Sequence, residues 1–248
     1  MTKFETKPGV KLPKPEDVRP KRFYTDVSVD QNGEGFAVLL DGRSIKTPMK
    51  HGLVLPTKVL AQAIADEWAA QGERIDPMTM PLTRLANVVL DQSEAHRDAL
   101  VYEVIKYAVT DLLRHRADTP DDLVALQART WNPYLDWADK ELGAHLPPVT
   151  GILPADAPEA SITALRERAN GFDVWRLTAL VQATSLTGSA VLGFALVEGH
   201  ADGEAIFDAS RVDESFQIAQ WGEDAEAAEY AAALKSEILA CARLLAAL

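Results

Sequence analysis

The sequence predicts an α+β protein in which a small N-terminal mixed α/β domain, a twisted antiparallel sheet plus a helix, precedes a larger all-α domain. Three observations support this prediction. Residues 23–47 alternate apolar and polar side chains and contain two tight-turn signals, Asn32-Gly33 and Asp41-Gly42. Apolar residues recur at helical spacing after residue 82. The charge also divides, since residues 1–76 carry 12 Lys and Arg against 11 Asp and Glu, whereas residues 77–248 carry 13 against 26.

We predict a disordered basic arm at residues 1–20, a small β-rich α+β domain at 21–78 and a helical domain at 79–248. The arm contains several basic residues, among them Lys3, Lys7, Lys11 and Lys14. Its acidic residues and prolines disfavour an amphipathic targeting helix, and it has no apolar signal core.

The small domain is predicted to contain four strands, at residues 23–29, 36–40, 43–47 and 53–55. A helix is then predicted over residues 57–71, with an apolar face formed by Leu60, Ile64 and Trp68. Asp66 and Glu67 fall outside this row, so we expect both to be solvated. Residues 75–81 contain two prolines and form a rigid connector.

The helical domain is predicted to contain helices at residues 82–92, 95–114, 134–142, 160–169 and 172–186. Thr119-Pro120-Asp121-Asp122 is a strong helix start, and Trp131-Asn132-Pro133 repeats that signal just before residue 134. Residues 177–197 carry no charge over 21 positions, a length that can span a bilayer. Their polar residues and the break at Gly188-Ser189 favour two buried helices instead.

The segment 211–226 carries the most information about function. A helix is predicted to end at Trp221-Gly222, where glycine can take the left-handed conformation, and a strongly acidic helix follows. Glu223 and Asp224 suit the positive end of that second helix. One continuous apolar stripe is predicted along it, formed by Ala227, Tyr230, Leu234, Ile238, Cys241, Leu245 and Leu248.

Composition and motifs exclude several classes of function. The net charge of −12 lies in the helical half, which would repel nucleic acid phosphates. Cys241 is the only cysteine, so no intramolecular disulfide forms, and its place on an apolar face predicts an inert core thiol. The glycine pair Gly188 and Gly193 lacks the lysine that follows a phosphate-binding loop. We expect no cofactor.

Metal binding and catalysis receive little support from the residues. Asp111 and His115 are four apart on a predicted helix, which is half of a metal site, but an ion pair or a helix hydrogen bond is favoured there. No Gly-x-Ser-x-Gly elbow is present. Asp213 and Glu214 are candidates for an acid–base pair, but solvated charge is favoured. The enzyme alternative is a hydrolase that uses carboxylates in the cleft between the two domains.

Binding to a protein is a better use for the acidic residues. Residues 198–237 contain 11 acids against two bases, Arg211 and Lys235, and such a field attracts a basic partner. Simple solubility is the other explanation, and it stays open. Trp221 lies beside a helix end and is the aromatic contact that we favour. The predicted partner-binding residues are Asp213, Glu214, Trp221, Glu223 and Asp224.

Several separated segments resemble one family, the ATP synthase assembly chaperones. They are Arg19-Pro-Lys-Arg-Phe-Tyr24, Leu40-Asp-Gly-Arg-Ser-Ile-Lys-Thr-Pro48, Met80-Pro-Leu-Thr83, Thr110-Asp-Leu-Leu-Arg114 and Trp131-Asn-Pro-Tyr-Leu-Asp-Trp137. The resemblance implies a two-part fold and a chaperone rather than an ATPase. The implied client is the unassembled alpha subunit of the F(1) sector, whose apolar interface is shielded until the beta subunit replaces the chaperone.

The resemblance also implies a site and a location. The acidic position that the family needs falls on Asp213 or Glu214. Residues 223–230 are alanine-rich where relatives carry another tryptophan and a histidine-aspartate pair. We expect a soluble, monomeric protein of the bacterial cytoplasm, with relatives in the mitochondrial matrix and no stable membrane insertion.

Overall fold

The computed structural model describes residues 19–93, 95–151 and 156–248. The predicted basic arm therefore lies outside the described residues, apart from its last two. A small antiparallel sheet and one helix come first, and the remaining described residues are mainly helical. The α+β fold class is confirmed.

The sheet is built on one hairpin. Strand β1 (Val27–Asn32) pairs antiparallel with β2 (Gly35–Leu40), and the turn between them begins at Gly33, whose φ is 62°. A second turn, at Asp41 and Gly42, also has positive φ angles and leads into β3 (Arg43–Ser44). Strand β4 (Val54–Leu55) pairs with the opposite end of β2. All four strands form near their predicted positions, since turn residues with positive φ fix where each pairing begins.

The first strand begins at Val27, later than the predicted residue 23, because the chain before it packs against a helix. The Tyr24 side chain is buried, and its hydroxyl donates a hydrogen bond to the Trp68 carbonyl at 2.7 Å. The Arg22 amide donates to the Glu73 carbonyl at 2.9 Å. Residues 22–24 therefore lie against the end of the following helix rather than in the sheet.

Helix α1 (Lys58–Ala69) begins as predicted, since the Thr57 hydroxyl accepts the Leu60 amide at 3.1 Å. The prediction that Glu67 is solvated is wrong. The Glu67 side chain is buried, and its carboxylate accepts the amides of Leu82 and Thr83, both at 2.8 Å, and the Thr83 hydroxyl at 2.7 Å. It thereby caps α2 (Pro81–Val88), whose own N-cap residue, Met80, makes no side-chain cap.

Helix α3 (Arg97–Val109) ends earlier than the predicted residue 114. The buried Asp111 side chain breaks it, because its carboxylate accepts the Leu113 amide at 3.0 Å, the Ser189 hydroxyl at 2.7 Å and the Val191 amide at 3.0 Å. A short 3-10 turn follows at Leu112–Arg114. His115 then enters a two-residue strand, β5 (His115–Arg116), which pairs in parallel with β6 (Val149–Thr150).

Helix α4 (Asp121–Leu142) is continuous, so the predicted new start at Pro133 is wrong. Proline inside a helix removes one backbone donor. Burial holds this helix together across that point, since Trp131, Leu135 and Ala138 all face the core. The Trp131 indole also donates to the Ala209 carbonyl at 2.7 Å.

The uncharged segment forms two buried helices, as predicted, which are α6 (Val174–Thr187) and α7 (Ala190–Val197). Gly188 has a φ of 71° and ends the first, and the Ser189 hydroxyl accepts the Leu192 amide at 3.0 Å to begin the second. In the described ranges, no helix is long and apolar enough to cross a membrane.

The remaining helices are α5 (Glu159–Asn170), α8 (Gly203–Ser210), α9 (Val212–Trp221) and α10 (Ala225–Ala246). The predicted stripe on α10 is buried or half-buried from Leu234 onward, and Cys241 is a core thiol whose pKa burial raises to about 12. For the first two members of the stripe the prediction is wrong, because Ala227 is exposed and Tyr230 is 64% exposed. The first turns of α10 extend beyond the helices that bury its later part.

The largest cluster of buried apolar side chains includes Val38 of the sheet, Leu60 of α1 and Trp131, Phe194 and Ile238 of the helices. The Thr57 hydroxyl also donates to the Ala247 carbonyl, so the end of α10 lies beside the start of α1. This packing fixes the C-terminal part of α10. Of α9 only Val212 belongs to this cluster, and α10 joins it from Leu234 onward.

Candidate functional site

Helix α9 is held to the rest of the molecule by few apolar contacts, since Val212 is its only buried residue. The helix ends where the Gly222 amide donates to the Ile218 carbonyl at 2.8 Å. Gly222 has a φ of 87° and a ψ of 167°, which is an extended positive-φ conformation rather than the predicted left-handed helical one. A side chain is strained at such a φ, so the turn into α10 depends on this glycine.

A cavity of about 260 Å³ lies between α9 and the beginning of α10. Asp213 and Glu214 line it from α9, and Tyr230 and Leu234 line it from α10. The junction between α6 and α7 completes it with Leu186, Thr187 and Gly188. We call this cavity the α9–α10 groove. It combines apolar side chains with two carboxylates and the guanidinium of Arg211.

Asp213 is oriented by a buried amide. The Gln127 side-chain NH₂ donates to Asp213 Oδ1 at 2.7 Å, and Gln127 Oε1 accepts the Ala117 amide at 2.9 Å. Gln127 is 2% exposed, so its own position is fixed by packing in α4. The carboxylate of Asp213 is therefore held at the groove before any partner arrives.

Glu214 differs from its neighbour in having a basic partner. Arg211 Nη1 lies 3.0 Å from Glu214 Oε1, and the side chains are 13% and 46% exposed respectively. Across the part of the chain that the structure describes, Asp213 forms no ion pair. The charge of Glu214 is thus neutralised by Arg211, whereas no described cation pairs with Asp213.

The other three predicted site residues lie elsewhere on the same projecting segment. Trp221 is 79% exposed at the last residue of α9, and Glu223 and Asp224 are exposed in the turn that follows. None of the three lines the α9–α10 groove. The structure therefore brings Asp213 and Glu214 together at the groove and places Trp221, Glu223 and Asp224 together at the tip.

A second open cavity, of about 630 Å³, lies on the other side of α9, between α4 and α8. Val212 and Ser215 line it from α9, with Tyr134 and His200 opposite. The His200 ring stacks on Trp137 with centroids 4.6 Å apart. Helix α9 therefore has a concave surface on each side, and a partner is able to contact the helix from both.

Sequence reasoning missed two residues that line the groove, Arg211 and Tyr230, and one that supports Asp213 from behind, Gln127. Gln127 occupies the same buried row of α4 as Trp131 and Leu135, and a polar residue in an apolar row is a signal for a specific hydrogen bond. Arg211 was noted only as one of two bases in an acidic segment. Tyr230 was assigned to the core stripe, although it is exposed beside the groove.

The chemistry of the described carboxylates favours structure and binding over catalysis. Burial raises the pKa of Asp111 to about 6, and burial also raises the pKa of Glu67, but both accept several hydrogen bonds from backbone amides. The predicted pairing of Asp111 with His115 is wrong, because His115 is exposed in β5. Among the residues that the structure describes, no group of three or more His, Cys, Asp or Glu could hold a metal ion.

Comparison with known proteins adds a relationship over most of the chain. A model of the ATP12 chaperone protein family matches residues 21–139. Atp12 from Paracoccus denitrificans is 40% identical, with a TM-score of 0.85, over 92% of this chain and 97% of that chain. A mutant of the same protein gives the same values. The Atu1473 protein from Agrobacterium tumefaciens is 39% identical, with a TM-score of 0.86, over 92% of this chain and 86% of that chain.

Proposed function

This chain belongs to the ATP12 chaperone protein family, and from that membership we propose that it binds the unassembled alpha subunit of the ATP synthase F(1) sector. In this proposal it shields the apolar interface of that subunit until the beta subunit takes its place. The contact is made by Asp213 and Glu214 at the α9–α10 groove and by Trp221, Glu223 and Asp224 at the tip. Binding alone performs the task, without a covalent step.

The observation that carries this proposal is the exposure of apolar surface inside a strongly acidic segment. Trp221 is 79% exposed and Tyr230 is 64% exposed, although residues 198–237 otherwise carry 11 acids against two bases. Aromatic side chains are enriched at surfaces that contact other proteins, and these two lie on the acidic segment itself. The surrounding carboxylates keep such a surface from associating with itself and attract a basic partner.

We further propose that the protein acts as a monomer in the bacterial cytoplasm. Two of the similar proteins come from bacteria, Paracoccus denitrificans and Agrobacterium tumefaciens. The one cysteine is buried and unpaired, which suits a reducing compartment. No cofactor is needed for the shielding of an interface.

Aggregation of isolated alpha subunit, followed by light scattering, tests the function. The parent protein should suppress scattering at an equimolar ratio, and addition of beta subunit should release it into an alpha–beta complex. Asp213→Lys should lose the suppression at a temperature where circular dichroism shows that the variant is still folded, since the substitution also removes the acceptor of the buried Gln127 amide. Glu34→Lys, at an exposed position in the turn between β1 and β2, is the matched control.

Two outcomes would contradict the proposal. A parent protein that leaves the aggregation of alpha subunit unchanged is not its chaperone. Turnover of esters or nucleotides by the purified protein, abolished by an acid-to-amide change, would instead favour the hydrolase alternative.

A further inference from the structure

Resting on the proposed function, we infer that the α9–α10 groove binds one arginine side chain of the alpha subunit, carried on an apolar segment, with Asp213 as its ion-pair partner. The family resemblance left the functional acid at either Asp213 or Glu214. The geometry of the groove distinguishes the two.

The first step concerns charge. Glu214 already pairs with Arg211 at 3.0 Å, whereas Asp213 contacts the neutral amide of Gln127 at 2.7 Å. Of the two described groove carboxylates, only Asp213 therefore offers a charge that a cation from a partner can neutralise. A carboxylate at a partly enclosed surface gains more from such pairing than one in open solvent.

The second step concerns orientation. Two consecutive hydrogen bonds, from the Ala117 amide to Gln127 and from Gln127 to Asp213 Oδ1, fix one carboxylate oxygen. The described residues donate no hydrogen bond to the other oxygen, Asp213 Oδ2. The free oxygen is thus held in place before binding. A preoriented group loses little conformational entropy when its partner arrives, and this increases affinity.

The third step concerns the kind of cation. The groove is lined by Tyr230 and Leu234, by the two carboxylates and by Arg211, whose charge is already paired with Glu214. Guanidinium is planar and weakly hydrated and stacks on aromatic rings, whereas the ammonium of lysine is strongly hydrated. The exposed ring of Tyr230, in the same groove as the uncompensated Asp213 carboxylate, therefore favours arginine.

The fourth step concerns size. At about 260 Å³ the groove is too small for a helix, whose diameter with side chains is about 10–12 Å, but it accommodates one long side chain. Tyr230 is 64% exposed at the edge of the groove, so apolar neighbours of that arginine have a side chain to cover there. The acidic field of residues 198–237 attracts the same segment.

Affinity for isolated alpha subunit, measured by isothermal titration calorimetry, tests the assignment. We expect Asp213→Asn to weaken binding by about tenfold or more, because the amide keeps the shape and removes the charge. Tyr230→Ala should weaken it by about fivefold, through loss of the stacking surface. The matched controls are Glu229→Gln, an exposed acid on α10 outside the groove, and Tyr102→Ala, a tyrosine 61% exposed on α3. Both should stay within twofold of the parent.

Peptide competition tests the arginine itself. The probes are N-acetyl-Leu-Arg-Leu-amide and the same peptide with citrulline, a neutral isostere, in place of arginine. We expect the arginine peptide to displace alpha subunit at concentrations at least tenfold lower than the citrulline peptide, and to lose that advantage on Asp213→Asn. Equal competition by the two peptides would overturn the arginine assignment.

The outcomes separate this inference from the function on which it rests. If the parent binds alpha subunit and Asp213→Asn binds equally well, the groove assignment is wrong and the chaperone function stands. If the parent itself does not bind alpha subunit, both are wrong.

Discussion

Carboxylates lie at helix starts in two regions of this molecule, and their hydrogen bonding differs between them. In the interior, Asp111 and Glu67 each accept three hydrogen bonds from neighbouring segments of the chain. We call these two residues the buried acids. At the surface, Asp213 accepts one hydrogen bond, from Gln127, as far as the described residues show. An acid whose acceptors are filled by its own chain stabilises the fold, whereas one with an open oxygen is available to a partner.

This comparison predicts opposite effects of mutation in the two regions. Variants of the buried acids should change the free energy of unfolding and leave alpha-subunit binding by the folded protein unchanged. Variants at the tip, and Asp213→Asn at the groove, which keeps an acceptor for Gln127, should change binding and leave stability nearly unchanged. A residue that does both would break the distinction.

The largest effect is expected for Asp111→Ala. It leaves the buried amides of Leu113 and Val191 without an acceptor and removes the carboxylate that stabilises the charge on Arg114. We expect a loss of about 4 kcal/mol in the free energy of unfolding, measured by urea denaturation. Asp118→Ala, at an exposed position, is the control and should cost less than about 0.5 kcal/mol. A cost below 1 kcal/mol for Asp111→Ala would show that the break after α3 has another cause.

The pH dependence of stability should report the same site. Burial raises the pKa of Asp111 to about 6, so the folded state binds its proton more tightly than the unfolded state does. The contribution of Asp111 to the free energy of unfolding is therefore fully present below about pH 4. It is lost as the pH rises through about 6, by roughly 3 kcal/mol in all. Asp111→Asn cannot titrate, so the stability of the parent relative to this variant should decline over that interval. A difference that stays constant with pH would contradict the expectation.

A smaller effect is expected for Glu67→Ala, which removes the cap of α2. The amides of Leu82 and Thr83 lose their acceptor, and we expect a cost of about 2 kcal/mol in the free energy of unfolding. The neighbouring Asp66→Ala is a close control, because Asp66 is exposed and contacts only Gln62 in the described chain. Equal effects of the two substitutions would show that the Glu67 cap contributes nothing.

The sequence allowed prediction of the features that depend on local chemistry. Turns at Asn32-Gly33 and Asp41-Gly42 form because their residues tolerate positive φ, and the break at Gly188-Ser189 combines a glycine terminator with a serine cap. These residues signal the turns and the break by themselves, although the Ser189 hydroxyl also donates to the distant Asp111. The fold class and the order of elements follow from such signals.

The errors arose where a distant partner determined the structure. Glu67 lies off the apolar row of α1, and only the start of α2, 15 residues later, explains its burial. The break at Asp111 depends on Ser189, which is 78 residues away. Tyr230 continues the helical stripe of apolar residues, but no other helix covers this part of α10 among the described residues, and Tyr230 is exposed. Periodicity shows which face of a helix is apolar and does not show how far along the helix that face is covered.

The same reasoning applies to the groove. The acidic segment predicted that a basic partner binds near Asp213, Glu214, Trp221, Glu223 and Asp224, but the division of these residues between a groove and a tip requires tertiary structure. The difference between Asp213 and Glu214 depends on Gln127 in α4, 86 residues before Asp213. No local pattern records that contact.

The smallest effect on stability is expected at the tip. Trp221 is 79% exposed, so Trp221→Ala removes few contacts within the molecule and should change the free energy of unfolding by less than about 0.5 kcal/mol. Binding of alpha subunit should nevertheless weaken by about fivefold, since an exposed tryptophan buries a large area when a partner covers it. Phe23→Ala is the matched control, because Phe23 is 72% exposed beside the sheet, and it should leave binding unchanged. If both aromatic variants weaken binding equally, the contact extends over the sheet as well, and the distinction between a structural core and a binding tip would have to be redrawn around Phe23.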